Sequence, residues 1–358
     1  MDFRKIDFLE WFKTKKKAKI DLCRSGAKSL FQNSLRLNFE ELDISGDNSY
    51  GFPPLLEAIA SRHKVRKENV VVALGTTQAL FLVCAALLGR GDEVLVEKPA
   101  YEPLTAVPRA MEAKVIRFER KFEKDYQFDL EGMISLLSAR TRLIILTNLH
   151  NPSGVFLTPP LIKNLAERAG SKGVRVLIDE IYLDFLKGAE RETSFSLAEN
   201  IIVISSLTKV YGLGGLRCGW ILADAELVKK IRSIIEYVNG EGVFIGEQIS
   251  ARIFSQLYSL IEKNRELFER NRSMIKTFIQ GEGRLSWVEP AGGVICFPKV
   301  NAKLSGDRLA SILLEKYETA VVPGSFFEEP QQFRLGFGVS SKILAVGLEN
   351  IKKALEEL

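Results

Sequence analysis

The sequence SSLTKVYGLGGLRCGW (residues 205–220) lies between two short apolar segments, Ile201–Ile204 and Trp220–Leu222. Both segments have the length and the β-branched or aromatic content of buried strands, so the quoted residues are predicted to connect two strands. Open α/β sheets bind ligands at the carboxyl ends of their strands. Lys209, set among small hydroxyl residues and glycines, is therefore a candidate to reach into a cleft, although a lysine on a surface loop has the same local pattern.

The glycines of this connection do not form a dinucleotide-binding fingerprint. Gly212 and Gly214 begin the pattern G-x-G-x-x-G, but Arg217 occupies the position of the third glycine, and the strand–glycine–helix order is missing. The chain also contains no G-x-x-x-x-G-K-[ST] phosphate loop. A nicotinamide-dependent dehydrogenase or a nucleotide hydrolase is therefore disfavoured.

On either side of this connection, residues 50–225 alternate between short apolar segments and helix-length amphipathic segments. Most of the apolar segments are continuously hydrophobic, which is typical of strands buried on both faces of a mainly parallel sheet. The alternation predicts an α/β fold, with a three-layer α/β/α large domain around a mainly parallel seven-stranded sheet. The predicted strands are Val70–Ala73, Val94–Val96, Val115–Phe118, Leu143–Leu146, Val174–Ile178, Ile201–Ile204 and Trp220–Leu222, and the predicted helices include Thr76–Leu88, Leu104–Ala113 and Pro160–Ala169.

The pattern changes after Ala225, where long helical stretches are followed by short strands without strict alternation. This order predicts a second, smaller α+β domain. We expect residues 43–262 to form the large domain, and residues 1–42 and 263–358 to form the small one. The predicted strands of the small domain are Gly293–Phe297, Ala320–Val322 and Phe333–Gly336.

The composition indicates a globular protein that binds neither nucleic acid nor membrane. The 358 residues carry a formal charge of only +5, and 46% of them are hydrophobic. Polar residues interrupt the longest apolar run, Val70–Leu88, which favours a buried strand and helix over a membrane span. The four cysteines and two histidines match no metal-site spacing, and we expect the cysteines to be reduced thiols in the cytoplasm.

Four motifs occur in order along the chain. They are Asn151-Pro152-Ser153-Gly154, Asp179-Glu180-Ile181-Tyr182, Ser206-x-Thr208-Lys209 followed by Arg217, and Phe333-Arg334-Leu335-Gly336. Together with Tyr50-Gly51 they span most of the chain. In this order and at these separations they resemble the motifs of the aminotransferase class I/II family, whose members use pyridoxal 5′-phosphate (PLP).

The resemblance implies a set of residues around the cofactor ring. Lys209 would hold PLP as a Schiff base and move a proton between the substrate α-carbon and the cofactor. Asp179 would keep the pyridine nitrogen protonated so that the ring accepts electrons, although aspartate also commonly caps helices. Tyr182 and Asn151 would hydrogen-bond the phenolic oxygen. Tyr101 would lie on the ring, a position that is compatible with ordinary core packing.

The phosphate of the cofactor requires backbone N–H donors and positive charge. Residues 74–78 stand between a predicted strand and a predicted helix, and a helix N-terminus attracts anions. Gly75 by itself has the pattern of a tight turn. By resemblance, the phosphate ligands would be Gly75, Thr76, Thr77, Ser206 and Arg217.

The resemblance also assigns residues to the substrate and to a second subunit. Arg334, with Asn151, would bind the substrate α-carboxylate through parallel hydrogen bonds. The apolar neighbours of Arg334 argue against a surface ion pair. Tyr50 would reach the phosphate of a neighbouring subunit, which implies a homodimer with shared active sites. Pro54 and Leu55 stand near the place where the family has a second glycine, a departure from its pattern.

The implied activity is transfer of an amino group between an L-amino acid and a 2-oxo acid. Histidinol-phosphate aminotransferases, carbon–sulfur β-lyases and amino-acid decarboxylases share the lysine, aspartate and asparagine, so they remain alternatives, as does an inactive protein that has kept the fold. No second arginine diagnostic of a dicarboxylate substrate is recognisable. Thr208 replaces the more frequent serine, and His150 either contacts substrate or stabilises its loop.

Overall fold

The computed structural model describes residues 1–27, 38–301 and 305–357. The helices of these residues are α1 (Asp7–Thr14), α2 (Pro53–His63), α3 (Thr76–Leu87), α4 (Pro103–Ala110), α5 (Leu130–Ser135), α6 (Pro159–Gly170), α7 (Ala225–Val238), α8 (Phe244–Phe254), α9 (Leu257–Gly281), α10 (Gly306–Lys316) and α11 (Ser341–Glu356). The strands are β1 (Ile20–Asp21), β2 (Val70–Ala73), β3 (Glu93–Lys98), β4 (Lys114–Glu119), β5 (Thr141–Thr147), β6 (Arg175–Asp179), β7 (Ile201–Ser206), β8 (Gly219–Leu222), β9 (Leu285–Ser286), β10 (Ile295–Cys296), β11 (Lys299–Val300), β12 (Thr319–Ala320), β13 (Val322–Pro323) and β14 (Phe333–Gly336).

A seven-stranded sheet forms the centre of the larger part of the molecule. Its strand order is β2-β8-β7-β6-β5-β3-β4, and only β8 runs antiparallel to its neighbours. The strands are apolar on both faces because helices cover both faces, and β7 is buried along its whole length. The predicted α/β fold with a mainly parallel seven-stranded sheet is confirmed.

Neighbouring residues of one strand belong to different hydrophobic cores, because side chains alternate across a sheet. Ile144 packs in the core that contains Ile59 of α2 and Leu165 of α6. Ile145, the next residue, packs in the core with Leu80 of α3 and Ile231 of α7. Helices thus lie on both faces of the sheet, and the three-layer α/β/α arrangement is confirmed.

A smaller α+β part follows the sheet in the chain. It contains the antiparallel strands β10, β14 and β13 and the helices α10 and α11. The N-terminal strand β1 pairs with β12, so the beginning of the chain joins this part. Helix α9 runs through the predicted boundary between residues 262 and 263, and the division into residues 43–262 and the two flanking segments stays a prediction.

The parallel strands bring several chain segments to one edge of the sheet. Asp179 is the last residue of β6, Ser206 is the last residue of β7, and Thr147 is the last residue of β5. The turn before α3 reaches the same edge, since Gly219, at the start of the antiparallel β8, pairs with Ala73, at the end of β2. In the described part of the chain, no helix combines the length and the apolar character required to cross a membrane.

Candidate active site

A cleft of about 760 Å³ opens at this edge of the sheet. It brings together ten of the twelve residues that the sequence assigned to the site. They are Gly75, Thr76, Thr77, Tyr101, Asn151, Asp179, Tyr182, Lys209, Arg217 and Arg334. The two residues that do not line the cleft are Ser206 and Tyr50.

Lys209 is half-buried and lines the cleft, three residues beyond the end of β7. Its Nζ donates a hydrogen bond to Ser25 Oγ at 3.0 Å. The pKa of the Lys209 ammonium is lowered to about 8, chiefly by desolvation and also by the positive charge of Arg334, against the opposing effect of Asp179. An amine with this pKa is partly neutral near pH 7.5 and can act as a nucleophile or a base.

Asp179 is a buried carboxylate without a hydrogen-bonded cation. Among the described residues, its side chain accepts a single hydrogen bond, from the Ile181 amide at 3.1 Å. The pKa of Asp179 is raised to about 7, chiefly by burial and also by the negative charge of Glu97, against the opposing effects of the Ile181 hydrogen bond and of Lys209. A carboxylate in this state fits a ligand that brings a protonated nitrogen, because the added charge would offset its desolvation.

The turn between β2 and α3 has the geometry of an anion site. Gly75 has a φ of +88°, and a Cβ atom there would lie 2.7 Å from the guanidinium of Arg217. Gly219 is equally constrained, because its Cβ would lie 2.7 Å from the Gly75 Cα. Arg217 donates to the Leu74 carbonyl at 2.6 Å, and α3 begins at Thr76. Backbone amides, a helix N-terminus and a guanidinium therefore converge, which suits a phosphate group.

Ser206 lies directly below this turn. It is buried, and its Oγ accepts a hydrogen bond from the Thr208 amide at 3.2 Å. The Ser206 hydroxyl hydrogen remains available for an acceptor. Its assignment to the phosphate stays a prediction.

Arg334 lines the same cleft as the turn before α3. Only 1% of its surface is exposed, so it is not a surface ion pair. Its guanidinium donates to Asn151 Oδ1 at 2.9 Å and to the Cys23 carbonyl at 3.1 Å, whereas its Nε has no partner among the described residues. The rings of Phe8 and Phe327 lie 5.5 and 5.1 Å from the guanidinium carbon. A buried cation without a carboxylate partner suits a carboxylate ligand.

Two tyrosines complete the lining near Asp179. Tyr182 is buried, and burial raises the pKa of its hydroxyl group. Tyr101 lines the cleft and contacts Phe8 edge-on, with 5.6 Å between the ring centroids. One tyrosine thus offers a hydroxyl group and the other an aromatic ring to a bound planar ligand.

His150 stabilises the loop that carries Asn151. Its Nδ1 lies 2.6 Å from Ser153 Oγ, and its Nε2 lies 2.9 Å from the Pro99 carbonyl. Burial holds the pKa of His150 well below its usual range, with a further lowering by the charge of Arg120. The imidazole is therefore neutral and does not line the cleft.

A buried ion pair behind the site was not predicted from the sequence. Glu97, at β3, accepts from Arg120 at 2.6 Å and from the hydroxyl and amide groups of Thr147 at 2.6 and 2.8 Å. Thr147 Oγ1 in turn accepts from the Asn151 amide at 3.0 Å. The pair therefore holds the turn from which Asn151 reaches Arg334.

The same ion pair is also connected to the strand of Arg334. Arg120 donates to the Tyr126 carbonyl at 2.6 Å, and the Tyr126 hydroxyl group is hydrogen-bonded to Gln332, two residues before Arg334. Nothing in the local sequence signals this network, because Glu97 lies on an otherwise ordinary strand and Arg120 directly follows another.

Tyr50 lies outside the cleft of its own chain. It is 60% exposed, and the Arg232 guanidinium lies 5.0 Å from the centre of its ring. The predicted contact of Tyr50 with a phosphate therefore requires a second subunit.

One cleft thus holds an amine with a lowered pKa, a buried carboxylate, a turn suited to an anion and a buried arginine, a combination typical of PLP-dependent enzymes of fold type I. The model of the family described as aminotransferase class I and II matches residues 21–351, and the chain belongs to this family. It is a PLP-dependent aminotransferase, and its substrates are an amino acid and a 2-oxo acid.

The chain is similar to curated relatives over most of its length, and it shares its fold with a solved structure. The probable aspartate/prephenate aminotransferase of Aquifex aeolicus is 32% identical over 338 residues, which cover 87% of this chain and 83% of that protein. The capreomycidine synthase of Streptomyces vinaceus is 29% identical over 351 residues, covering 94% and 90%. The crystal structure of a PLP-dependent aminotransferase from Streptococcus suis shares the fold, with a TM-score of 0.89, 24% identity and coverage of 100% and 99%.

Proposed function

We propose that Lys209, Asp179 and Tyr182 carry out the chemistry of this aminotransferase on an L-amino acid. The observation that supports the proposal most directly is that Lys209 and Asp179 line one buried cleft with Arg334. When bound, PLP supplies a conjugated ring that accepts the electron pair released at the substrate α-carbon.

Lys209 has two roles in this proposal. Its Nζ would hold the cofactor covalently, and as a free amine it would move the proton at the substrate α-carbon. Its pKa of about 8 keeps a part of the amine neutral at physiological pH, as a general base requires. Ser25, whose hydroxyl group accepts from Nζ at 3.0 Å, orients the amine.

The other residues hold and polarise the ring. Asp179 would keep a proton on the pyridine nitrogen, Tyr182 and Asn151 would donate to the phenolic oxygen, and Tyr101 would offer its aromatic ring to the cofactor ring. The phosphate is bound at the start of α3, where an anion is favoured by free backbone amides and the helix dipole. Its ligands in this proposal are Gly75, Thr76, Thr77, Ser206 and Arg217.

Arg334 binds the α-carboxylate of the amino acid. A planar guanidinium forms two parallel hydrogen bonds with a carboxylate, and this geometry fixes the orientation of the α-carbon. Asn151, which already accepts from Arg334 at 2.9 Å, keeps the guanidinium in position. The fixed orientation decides which bond of the α-carbon lies perpendicular to the ring and breaks.

We further propose a homodimer with shared active sites, in which Tyr50 reaches the phosphate of the partner subunit. Exposed large apolar side chains support an interface, because Ile44 is 87% exposed and Tyr237 is 92% exposed. A mixture of Tyr50→Phe and Lys209→Ala proteins tests the proposal, since hybrid dimers would regain one intact site. A mixture that regains no activity would contradict the shared sites. Sedimentation of the protein as a monomer would contradict the homodimer. We also propose a cytoplasmic location for the protein, since its four cysteines are free and buried.

A donor panel with 2-oxoglutarate as acceptor tests the reaction type. We expect amino-group transfer, observed in a single turnover as conversion of the cofactor spectrum to its amine form, with release of a 2-oxo acid. Release of ammonia and pyruvate from cystathionine, of carbon dioxide from an amino acid, or turnover of histidinol phosphate would instead support one of the other activities of the family.

A further inference from the structure

The first helix of the chain forms an apolar wall of the active-site cleft. Phe8, Leu9 and Phe12 of α1 line the cleft together with Lys209 and Arg334. Phe8 is buried, whereas Leu9 and Phe12 are half-buried and so remain partly available to a ligand. No assignment made above involves these three side chains.

The position of α1 is fixed by contacts with residues of the site. The carboxylate of Glu102 accepts from the amides of Asp7 and Phe8 at 3.1 and 2.6 Å, which fixes the start of the helix. The Phe8 ring then contacts Tyr101 on one side and the guanidinium of Arg334 on the other. The wall is therefore placed next to both the ring position and the carboxylate clamp.

Within the described residues of one subunit, the charged groups around the wall leave no cleft-lining cation for a second carboxylate. Among the described residues, the cations that line the cleft are Lys209, Arg217 and Arg334, each of which has a role in the proposed function. Two further cations lie close by, but Lys15 and Arg24 both approach Asp21, at 3.7 and 3.8 Å. A donor side chain that extends from the α-carbon toward α1 meets carbon atoms.

We infer that the preferred amino donor carries a large apolar side chain, aromatic or branched aliphatic, which packs on Leu9 and Phe12. The inference rests on the proposed function, because it takes Arg334 as the α-carboxylate clamp. Burying such a side chain against apolar atoms favours it over a carboxylate side chain, which would lose its hydration without gaining a cation. We expect a preference of about 10- to 100-fold in kcat/KM.

The first experiment compares donors and non-reactive ligands on the holoenzyme. Single-turnover rates with L-phenylalanine and L-leucine should exceed those with L-aspartate and L-glutamate. Equilibrium titration of the cofactor absorbance should give at least about tenfold tighter binding of 3-phenylpropionate than of succinate. This second readout depends on binding alone and needs no turnover.

The second experiment changes the wall. Leu9→Arg adds a cation beside the clamp and should shift the preference toward L-aspartate and succinate, whereas Phe12→Ala should weaken 3-phenylpropionate binding without affecting succinate. Lys13→Ala is the matched control, because Lys13 lies on α1 but is exposed, and its ligand preference should equal that of the unchanged protein.

Two outcomes separate this inference from the proposed function. If an acidic donor reacts with a higher kcat/KM than every apolar donor, or succinate binds more tightly than 3-phenylpropionate, the apolar-donor inference is wrong while the aminotransferase function stands. If no amino acid converts the cofactor spectrum in a single turnover, the proposed function is wrong, and the inference that depends on it is wrong as well.

Discussion

The two halves of the active site differ in how they are built. The sheet-edge half consists of Lys209, Asp179 and the Gly75 turn, which all follow strands of one sheet. The clamp half consists of Arg334 from β14 and Phe8 from α1, which come from opposite ends of the chain. The first half presents an amine and a buried carboxylate, both with displaced pKa values, and the second surrounds one cation with aromatic rings. In the proposed function, residues at one regular sheet edge would hold the constant cofactor, whereas residues from distant parts of the chain would select the substrate.

The largest effect is expected from removing the amine of the sheet-edge half. Lys209→Ala should reduce transamination by about 10³-fold or more, because the variant loses both the covalent attachment and the base. Single-turnover assays and the visible absorbance of the bound cofactor measure the two losses separately. Lys172→Ala, at an exposed position, is the control. If the Lys209→Ala variant kept the visible absorbance of the unchanged protein, the assignment of Lys209 as the residue that holds the cofactor would be wrong.

The next largest effect is expected at the carboxylate of the same half. Asp179→Asn cannot hold a proton on the ring nitrogen, so kcat should fall by about 10²- to 10³-fold while the cofactor still binds. Asp125→Asn is a matched control, since Asp125 is exposed and its left-handed backbone conformation suits asparagine. An unchanged kcat would show that the ring nitrogen lies elsewhere.

A smaller and different effect is expected in the clamp half. Arg334→Gln should lower kcat/KM for amino acids by about 100-fold, roughly 2–3 kcal/mol, because the charged hydrogen bonds to the α-carboxylate are lost. The cofactor absorbance should remain, which distinguishes the two halves. Arg270→Gln, exposed on α9, serves for comparison. Loss of cofactor binding in the Arg334 variant would mean that the halves are not separable.

The ion pair behind both halves should affect stability more than chemistry. Glu97→Gln leaves Arg120 buried without a counter-charge, and the free energy of unfolding should fall by about 3–5 kcal/mol. The double variant Glu97→Gln/Arg120→Gln should recover part of this loss, as measured by urea denaturation. Glu119→Gln, which removes a half-exposed ion pair with Lys98 on the neighbouring strand, should cost less than about 1 kcal/mol. Equal losses for Glu97 and Glu119 would contradict the interpretation.

The displaced pKa values predict how the stability of the cofactor-free protein depends on pH. The pKa of Asp179 is raised from 3.8 to about 7, so its folded form binds more protons and stability falls as pH rises between these values. The pKa of Lys209 is lowered from 10.5 to about 8, so stability rises between pH 8 and 10.5. Plots of the denaturant midpoint against pH measure these slopes. The Asp179→Asn variant should lose the fall at low pH, and the Lys209→Ala variant should lose the rise at high pH. A slope that persists in its variant arises from other groups.

The sequence by itself determined the sheet-edge half and most of the fold. All seven predicted strands of the large sheet overlap observed strands, and Val70–Ala73 agrees residue for residue. A short run of hydrophobic residues predicts a buried strand, and parallel strands place their carboxyl ends at one edge of the sheet. Motifs that follow such strands therefore converge without further information, and Arg334 was recognisable from its own motif.

Only the tertiary structure decided which distant side chains meet. The Ser25 contact with Lys209 joins positions 184 residues apart, and the Tyr126 contact with Gln332 joins positions 206 apart. Helix α1, the Glu97–Arg120 pair and the apolar wall at Leu9 and Phe12 likewise had no local signal. Hydrophobic periodicity indicates that a side chain is buried, but the identity of its partner depends on how separate elements pack.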